Sequence, residues 1–243
     1  MGLLFPSPSD SLNEIASFDV KVGGTQIESS YKLFRIQIFK EVNKLSRATI
    51  SIMGGDPKEN NFDESEESIF ATGSEVEISL GYEQSNILVF KGIISKHALQ
   101  IKKGFQTSAT NNLLIIECVD KAVKLTNTYT TEIYEDKLDS DIITMLISNA
   151  PGVSKTVSFT SVINDFLPKY NCNDWDFIIQ RAEANGMIVL NSDNVITVTE
   201  PKPLLTIPEL TLTYGNGMID FHAEVDATTQ YSTFDIISYD PFN

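Results

Sequence analysis

The sequence predicts a mainly β protein with an α+β element: an antiparallel β-barrel at residues 14–122, a small α/β domain at 123–202, and further strands at 203–243. Three observations carry that prediction. Short runs at 47–53, 75–82, 87–95 and 113–119 have strand character, most with one apolar and one polar face. One strong helix follows at 175–185, then a hairpin at 186–199. Prolines at 201, 203 and 208 then interrupt regular structure and mark a boundary before strands resume.

In chain order, residues 1–13 read as a loose arm rich in Pro and Ser. Phe18, Val20 and Val22 alternate up to a Gly23-Gly24 turn, the clearest hairpin signal near the start. Phe34, Ile36 and Ile38 are expected on one strand face, Ala48, Ile50 and Ile52 on another, and Val76, Ile78, Leu80 and Tyr82 on a third. Residues 87–90 and 113–116 are apolar on both faces, so these strands need covering inside by the barrel core and outside by another domain or subunit. A closed barrel removes the open edges that invite aggregation.

After Asp120 helical spacing appears. Leu138, Ile142, Met145 and Leu146 define one helix, with Asp139 and Asp141 in its first turn and Asn149-Ala150-Pro151-Gly152 at its end. In the second helix Asn173 is the N-cap, Asp176 stands three residues on, and Gly186 takes the left-handed position past the end. Its apolar stripe is Trp175, Ile178, Ile179 and Ala182, with Trp175 read as a packing wedge rather than a ligand platform. Arg181 and Glu183 cannot face one another, so Arg181 is expected to pair with a carboxylate outside its helix, as a surface pair contributing ~0–1 kcal/mol. The hairpin turns at Ser192-Asp193-Asn194. Beyond the prolines, strands are expected at 210–214, 218–225 and 234–239; too few to bury their own faces, they complete an earlier sheet or open a further domain.

Composition narrows function. The 243 residues, 42% hydrophobic, allow a substantial core, and a formal charge of −15 disfavours nucleic acid and anionic lipid as partners. There is neither an apolar run of membrane-spanning length nor the basic region and long apolar core of a secretory signal at the start. Cys118 and Cys172, in no metal or redox spacing, are read as small apolar core residues in a reducing compartment.

Catalytic machinery is not evident. His97 reads as a strand-end or surface residue and His222 as part of an alternating run, with no nucleophile elbow, phosphate loop or paired-His helix. Asp56, Glu59, Asp63, Glu64, Glu66 and Glu67 lack the alternation of a calcium loop and read as a solvated surface loop, or as an acidic contact surface. No catalytic, cofactor-binding or metal-binding residue is assigned. The alternative is a cell-wall glycan-degrading module using carboxylates of that loop, since glycoside hydrolysis needs only two; a third reading is a free-standing binding domain.

The stretch Asp174-Trp175-Asp176-Phe177-Ile178-Ile179-Gln180-Arg181-Ala182-Glu183-Ala184-Asn185-Gly186 resembles the D-F-x-x-x-R-A-E-x-x-G signature of VgrG-type spike proteins and related phage tail hubs. Gly73–Ile78 with Leu80-Gly81-Tyr82, Val89–Ile94 and Glu117–Ala122 stand in the same order, so the similarity covers roughly residues 14–200. The resemblance is greatest to the spikes of type VI secretion and other contractile injection systems. It implies a phage tail hub-like fold of two similar barrels separated by an α/β element. It also implies a homotrimer that presents six pseudo-equivalent units to a hexameric inner tube and a threefold needle on the other side. The implied neighbours are the inner tube protein and baseplate proteins, with effectors as cargo, and the assembled part is exported with the apparatus. Against that pattern the chain reads as a fragment, a single-domain piece or a truncated paralogue, because the second barrel has only begun at residue 243.

Overall fold

A computed structural model describes residues 16–28, 30–54, 68–83, 85–103, 110–202, 213–214, 217–218, 222–225, 233 and 235. The first half is one antiparallel sheet. Its strands are β1 Ala16–Val22, β2 Thr25–Gln26, β3 Lys32–Phe39, β4 Arg47–Met53, β5 Glu75–Tyr82, β6 Ser85–Lys103 and β7 Thr110–Val119, arranged β2-β1-β5-β6-β7-β4-β3. Gly23 and Gly24 both have positive φ (59° and 82°), the geometry a two-residue hairpin needs to match strand twist.

The inward residues Val20, Val22, Ala48, Ile50, Ile52, Val76, Ile78, Phe90, Ile94, Leu114, Ile116 and Cys118 belong to one buried core, so the sheet rolls around a single interior. Burial stabilises each large side chain by about 1.5–3 kcal/mol. Across the mouth of the roll, Tyr31 meets the ring of Phe70 edge-on, centroids 5.3 Å apart. The expected barrel is thus a roll whose ladder runs from β2 to β3; among the described residues these two edge strands do not pair with each other.

Two strand expectations need correction. A bulge between Leu33 and Arg35 shifts the β3–β4 register. Leu33, Ile36 and Ile38 therefore pack on the core, whereas Phe34, expected beside them, is 61% exposed. β6 is also far longer than the predicted 87–95, and His97 lies within it opposite Ile116 rather than at a strand end. Gly92 is dictated by close approach: a Cβ there would lie 2.3 Å from the Val119 carbonyl oxygen.

The second half begins with a 3-10 turn, Lys121–Thr126. Then come β8 Tyr129–Leu138, α1 Asp139–Ile147, β9 Ser154–Val157, β10 Ile163–Asn173, α2 Asp174–Ala184, β11 Ile188–Ser192 and β12 Val195–Thr199. β8 and β10 form an antiparallel pair, while β11, β12 and β9 form a second sheet in which β9 runs parallel to β12. Sequence periodicity flagged neither β8 nor β10.

α1 starts after Leu138 without a side-chain cap, whereas α2 is framed by its caps. The Asn173 side chain accepts the Asp176 backbone N–H at 2.8 Å, and Gly186 has φ 65°. Trp175, Phe177, Ile178 and Ala182 of α2 pack with Ile142, Ile143, Leu146 and Ile147 of α1 in one core. Met145, placed in the α1 stripe by its spacing, is instead 41% exposed.

Residues Glu14–Leu204 form one compact unit. A separate unit holds a short parallel pair, β13 Thr213–Tyr214 with β14 Gly217–Met218. Most of the residues expected as strands at 210–214, 218–225 and 234–239 lie outside the described residues, as do the N-terminal arm and residues 55–67 of the acidic loop.

Candidate docking surfaces

The roll and the α/β element are spliced through the β3–β4 connection. The Asn43 backbone N–H donates to the Val189 carbonyl at 2.8 Å, and the Val189 N–H donates back to the Asn43 side-chain oxygen at 2.9 Å. Three residues on, the buried Ser46 N–H donates to Asn191 Oδ1 at 2.9 Å and its hydroxyl donates to the Asn191 carbonyl. β11 is thus read by side chains as a further strand would be. Asp120 completes the joint: its carboxylate accepts from Ala122 N–H at 2.8 Å, capping the 3-10 turn, and from Asn194 N–H at 2.7 Å. Asp193 and Asn194 have φ of 56° and 64°, so the β11–β12 turn that meets Asp120 is a two-residue hairpin. At the rim Lys40 pairs with Asp193 at 3.1 Å.

The β8–β10 pair packs Tyr134 and Leu167 on the α/β core and turns other large side chains outward. Ile133 stands opposite Pro168. Ile133 is 57% exposed, Phe166 61% and Tyr170 81%, an unusual concentration of large apolar side chains on one short surface. On the inner face the Lys169 ammonium is completely buried; it pairs with Asp174 at the start of α2 and donates to Thr130 Oγ1 at 2.8 Å. Burial and the hydrogen bond to Glu132 push the Tyr134 hydroxyl well above its ordinary pKa, and it donates to Glu132 at 2.7 Å. This network fixes β10 to α2 and leaves Ile133, Phe166 and Tyr170 outward.

Arg181 does pair outside its helix, but not at the surface. Its Nε and Nη2 donate to the two oxygens of Asp139 at 2.6 and 2.8 Å, and Asn185 adds a third donor at 2.9 Å. The Asp139 side chain is only 4% exposed. Burial pushes its carboxyl up, but the Arg181 fork, Asn185 and Asn164 outweigh that and hold it below the ordinary value.

The sequence-flagged reactive groups are not brought together. Cys118 is buried, its thiol pushed up to about 12 by desolvation, and Cys172 is half-buried against the α/β core, its thiol also raised by burial. His97 sits on β6 and His222 is exposed in the separate unit. The carboxylates of the alternative glycan-degrading reading, Asp56, Glu59, Asp63, Glu64, Glu66 and Glu67, lie outside the described residues. Among the described residues no three His, Cys, Asp or Glu side chains group to hold a metal ion. No helix there is long and apolar enough to cross a membrane. An open cleft of about 830 Å³ runs along the outer sheet between Phe39, Arg47, Thr49 and Glu117. Sequence reasoning placed Asp139 in the first turn of its helix but not as the partner of Arg181, and it missed Asn43, Ser46 and Asn191 altogether.

This architecture, a rolled antiparallel sheet spliced to a two-helix α/β element, is the VgrG and phage tail hub-like fold. It is similar to the 43 kDa tail protein of prophage MuSo2 from Shewanella oneidensis (TM-score 0.57, 11% identity, 76% of this chain and 53% of that one). It is similar also to a tail protein from Neisseria meningitidis MC58 (TM-score 0.53, 16% identity, 75% and 50%). A third is an E. coli component of the type VI secretion system, described as structurally similar to the bacteriophage T4 tail proteins gp27 and gp5 (TM-score 0.52, 11% identity, 74% and 48%). The chain spans about half the length of these structures. No curated protein matches the sequence. The chain belongs to the Alg8 N-terminal domain family, whose model matches residues 12–243.

Proposed function

We propose that the protein is a non-enzymatic structural hub of a contractile injection system spike, in which three copies match a hexameric inner tube to a trimeric needle. The observation that carries this reading is the tail-hub fold over three-quarters of the chain. The outward-facing Ile133, Phe166 and Tyr170 support it, because a group of large exposed apolar side chains is the mark of a protein contact site. Three chains with two similar barrels each supply six near-equivalent units to a sixfold tube, while the trimer itself continues into a threefold needle. In this reading residues 14–122 are the first barrel, 123–202 the α/β domain and 203–243 the opening of the second barrel. The neighbours are further copies, the inner tube protein and baseplate proteins, with effectors as cargo. Assembly takes place in the bacterial cytoplasm and the part then leaves with the apparatus.

Light scattering on the protein alone and mixed with the inner tube protein of its own system tests this. A trimer, or a complex of three copies with tube protein, is expected. A monomer that ignores the tube protein at all concentrations contradicts it.

A further inference from the structure

Two surfaces of the Glu14–Leu204 unit complement each other. The first is the open cleft of about 830 Å³ on the outer sheet. One row of its lining is Phe39, Arg47 and Val119, register partners on β3, β4 and β7, and the next row pairs Thr49 with Glu117. Leu45, and Val123 of the 3-10 turn, add apolar lining beside them. The two carboxylates of the cleft are already matched: Glu41 pairs with Lys44 at 2.5 Å and Glu117 with Lys96 at 3.0 Å. Arg47 differs. It is exposed, and among the described residues its guanidinium has no hydrogen-bond or ion-pair partner. The cleft is left with one uncompensated positive charge beside the exposed ring of Phe39, in a chain of formal charge −15.

The second surface is the outward face of the β8–β10 pair. Glu135 stands opposite Phe166 and Ile133 opposite Pro168, so these four share the face away from the buried Tyr134. All four are exposed. Glu135, like Arg47, has no side-chain partner among the described residues, and Lys137 further along the same face makes no ion pair with it. One surface thus offers a lone carboxylate among large apolar side chains, the other a lone guanidinium in a cleft with apolar walls. Covered together, the two ions form a two-pronged, charge-assisted pair. A neighbour that covered only one of them would leave it desolvated and unmatched.

We propose that the β8–β10 face of one copy seats against the Arg47 cleft of the next copy, with Glu135 paired to Arg47 and with Ile133 and Phe166 against the apolar side chains of the cleft. The occupant is a second copy because the chain itself carries the match in both charge and apolar surface. The two surfaces differ, so the contact is head-to-tail, and repeated about a threefold axis it closes a ring of three. The inference rests on the hub reading and adds to it the contact by which the copies hold one another.

Sedimentation velocity over a concentration series of the intact chain tests this, with the inner tube protein of its own system added if the chain alone stays monomeric. Arg47→Glu and Glu135→Arg, each checked by circular dichroism for an unchanged fold, should each raise the concentration for half-assembly at least about tenfold. The double variant Arg47→Glu/Glu135→Arg, in which the opposite charges exchange sides, should return to within about threefold of wild type. Lys21→Glu makes the same change of charge as Arg47→Glu at an exposed position of β1, and should leave assembly within about twofold. Trimers that tolerate both single variants, or a double variant no better than either, would overturn the contact and leave the hub reading standing. Equal weakening by Lys21→Glu would reduce the effect to net charge and overturn the contact as well. A chain that stays monomeric with the tube protein present would overturn both.

Discussion

Asp139 shows how much one buried carboxylate can organise. It begins α1, yet it is held by Arg181 and Asn185 of the α2 end, so a single side chain ties the two helices together. An exposed pair of this type contributes little, whereas removing one partner of a buried, bidentate pair costs about 3 kcal/mol. Asp139→Asn is therefore expected to lower stability by that amount at pH 7 in urea titrations. The pH dependence has a definite sign. The folded carboxyl lies below its ordinary value, so its stabilisation is complete above the unfolded carboxylate pKa of ~3.9 and is lost as pH falls through the lower folded value. The gap between wild type and Asp139→Asn should close on titration toward pH 2; a gap that stays constant would show that the carboxylate charge is not what matters. Sequence reasoning found the Arg181 end of this pair from helical spacing, but the partner lies 42 residues away in chain and nothing local marks it.

At the level of elements, strand and helix identity was legible wherever one face is greasy and the other wet. β4 and β5 fall at the predicted bounds, and α2 is framed by its Asn173 cap and Gly186. β8 and β10 were not legible, for a physical reason. Large side chains (Ile133, Phe166, Tyr170) stand exposed on them while Lys169 is buried on the face that also packs Tyr134 and Leu167, so polarity does not follow burial along either strand. Phe34 was misplaced because one bulge residue reverses every face assignment before it. The splice through Asn43, Ser46 and Asn191 was invisible as well, since side chains bonding to a distant backbone leave no periodic trace. The splice makes a measurable claim about cooperativity. Trp175, the one tryptophan, reports the α/β core, while far-UV circular dichroism weighs the rolled sheet. The two signals should fall at one urea midpoint, and Asn191→Ala should shift both together by about 1–3 kcal/mol, the cost of leaving the Ser46 N–H unsatisfied. Two separated midpoints in the wild type would mean that the cores unfold independently.

For the whole molecule, the surfaces of the Glu14–Leu204 unit are what the proposed assembly uses. Among the described residues the ladder does not close between β2 and β3, and the β8–β10 pair turns Ile133, Phe166 and Tyr170 outward. Against these stand buried polar networks with almost every group satisfied, which hold the outward surfaces in fixed geometry. Outward apolar side chains held in this way are what the proposed symmetric assembly requires. Stable assembly of this type buries on the order of 1,200–2,000 Å² per contact, an area that a scatter of single exposed residues does not supply but contiguous strand faces do. Electron cryomicroscopy of the protein assembled with the inner tube protein of its own system addresses the central claim directly. The account predicts three copies around a threefold axis with the outward β8–β10 face covered and a tube ring seated on them. Particles containing one copy, with Ile133, Phe166 and Tyr170 still facing solvent, would contradict it.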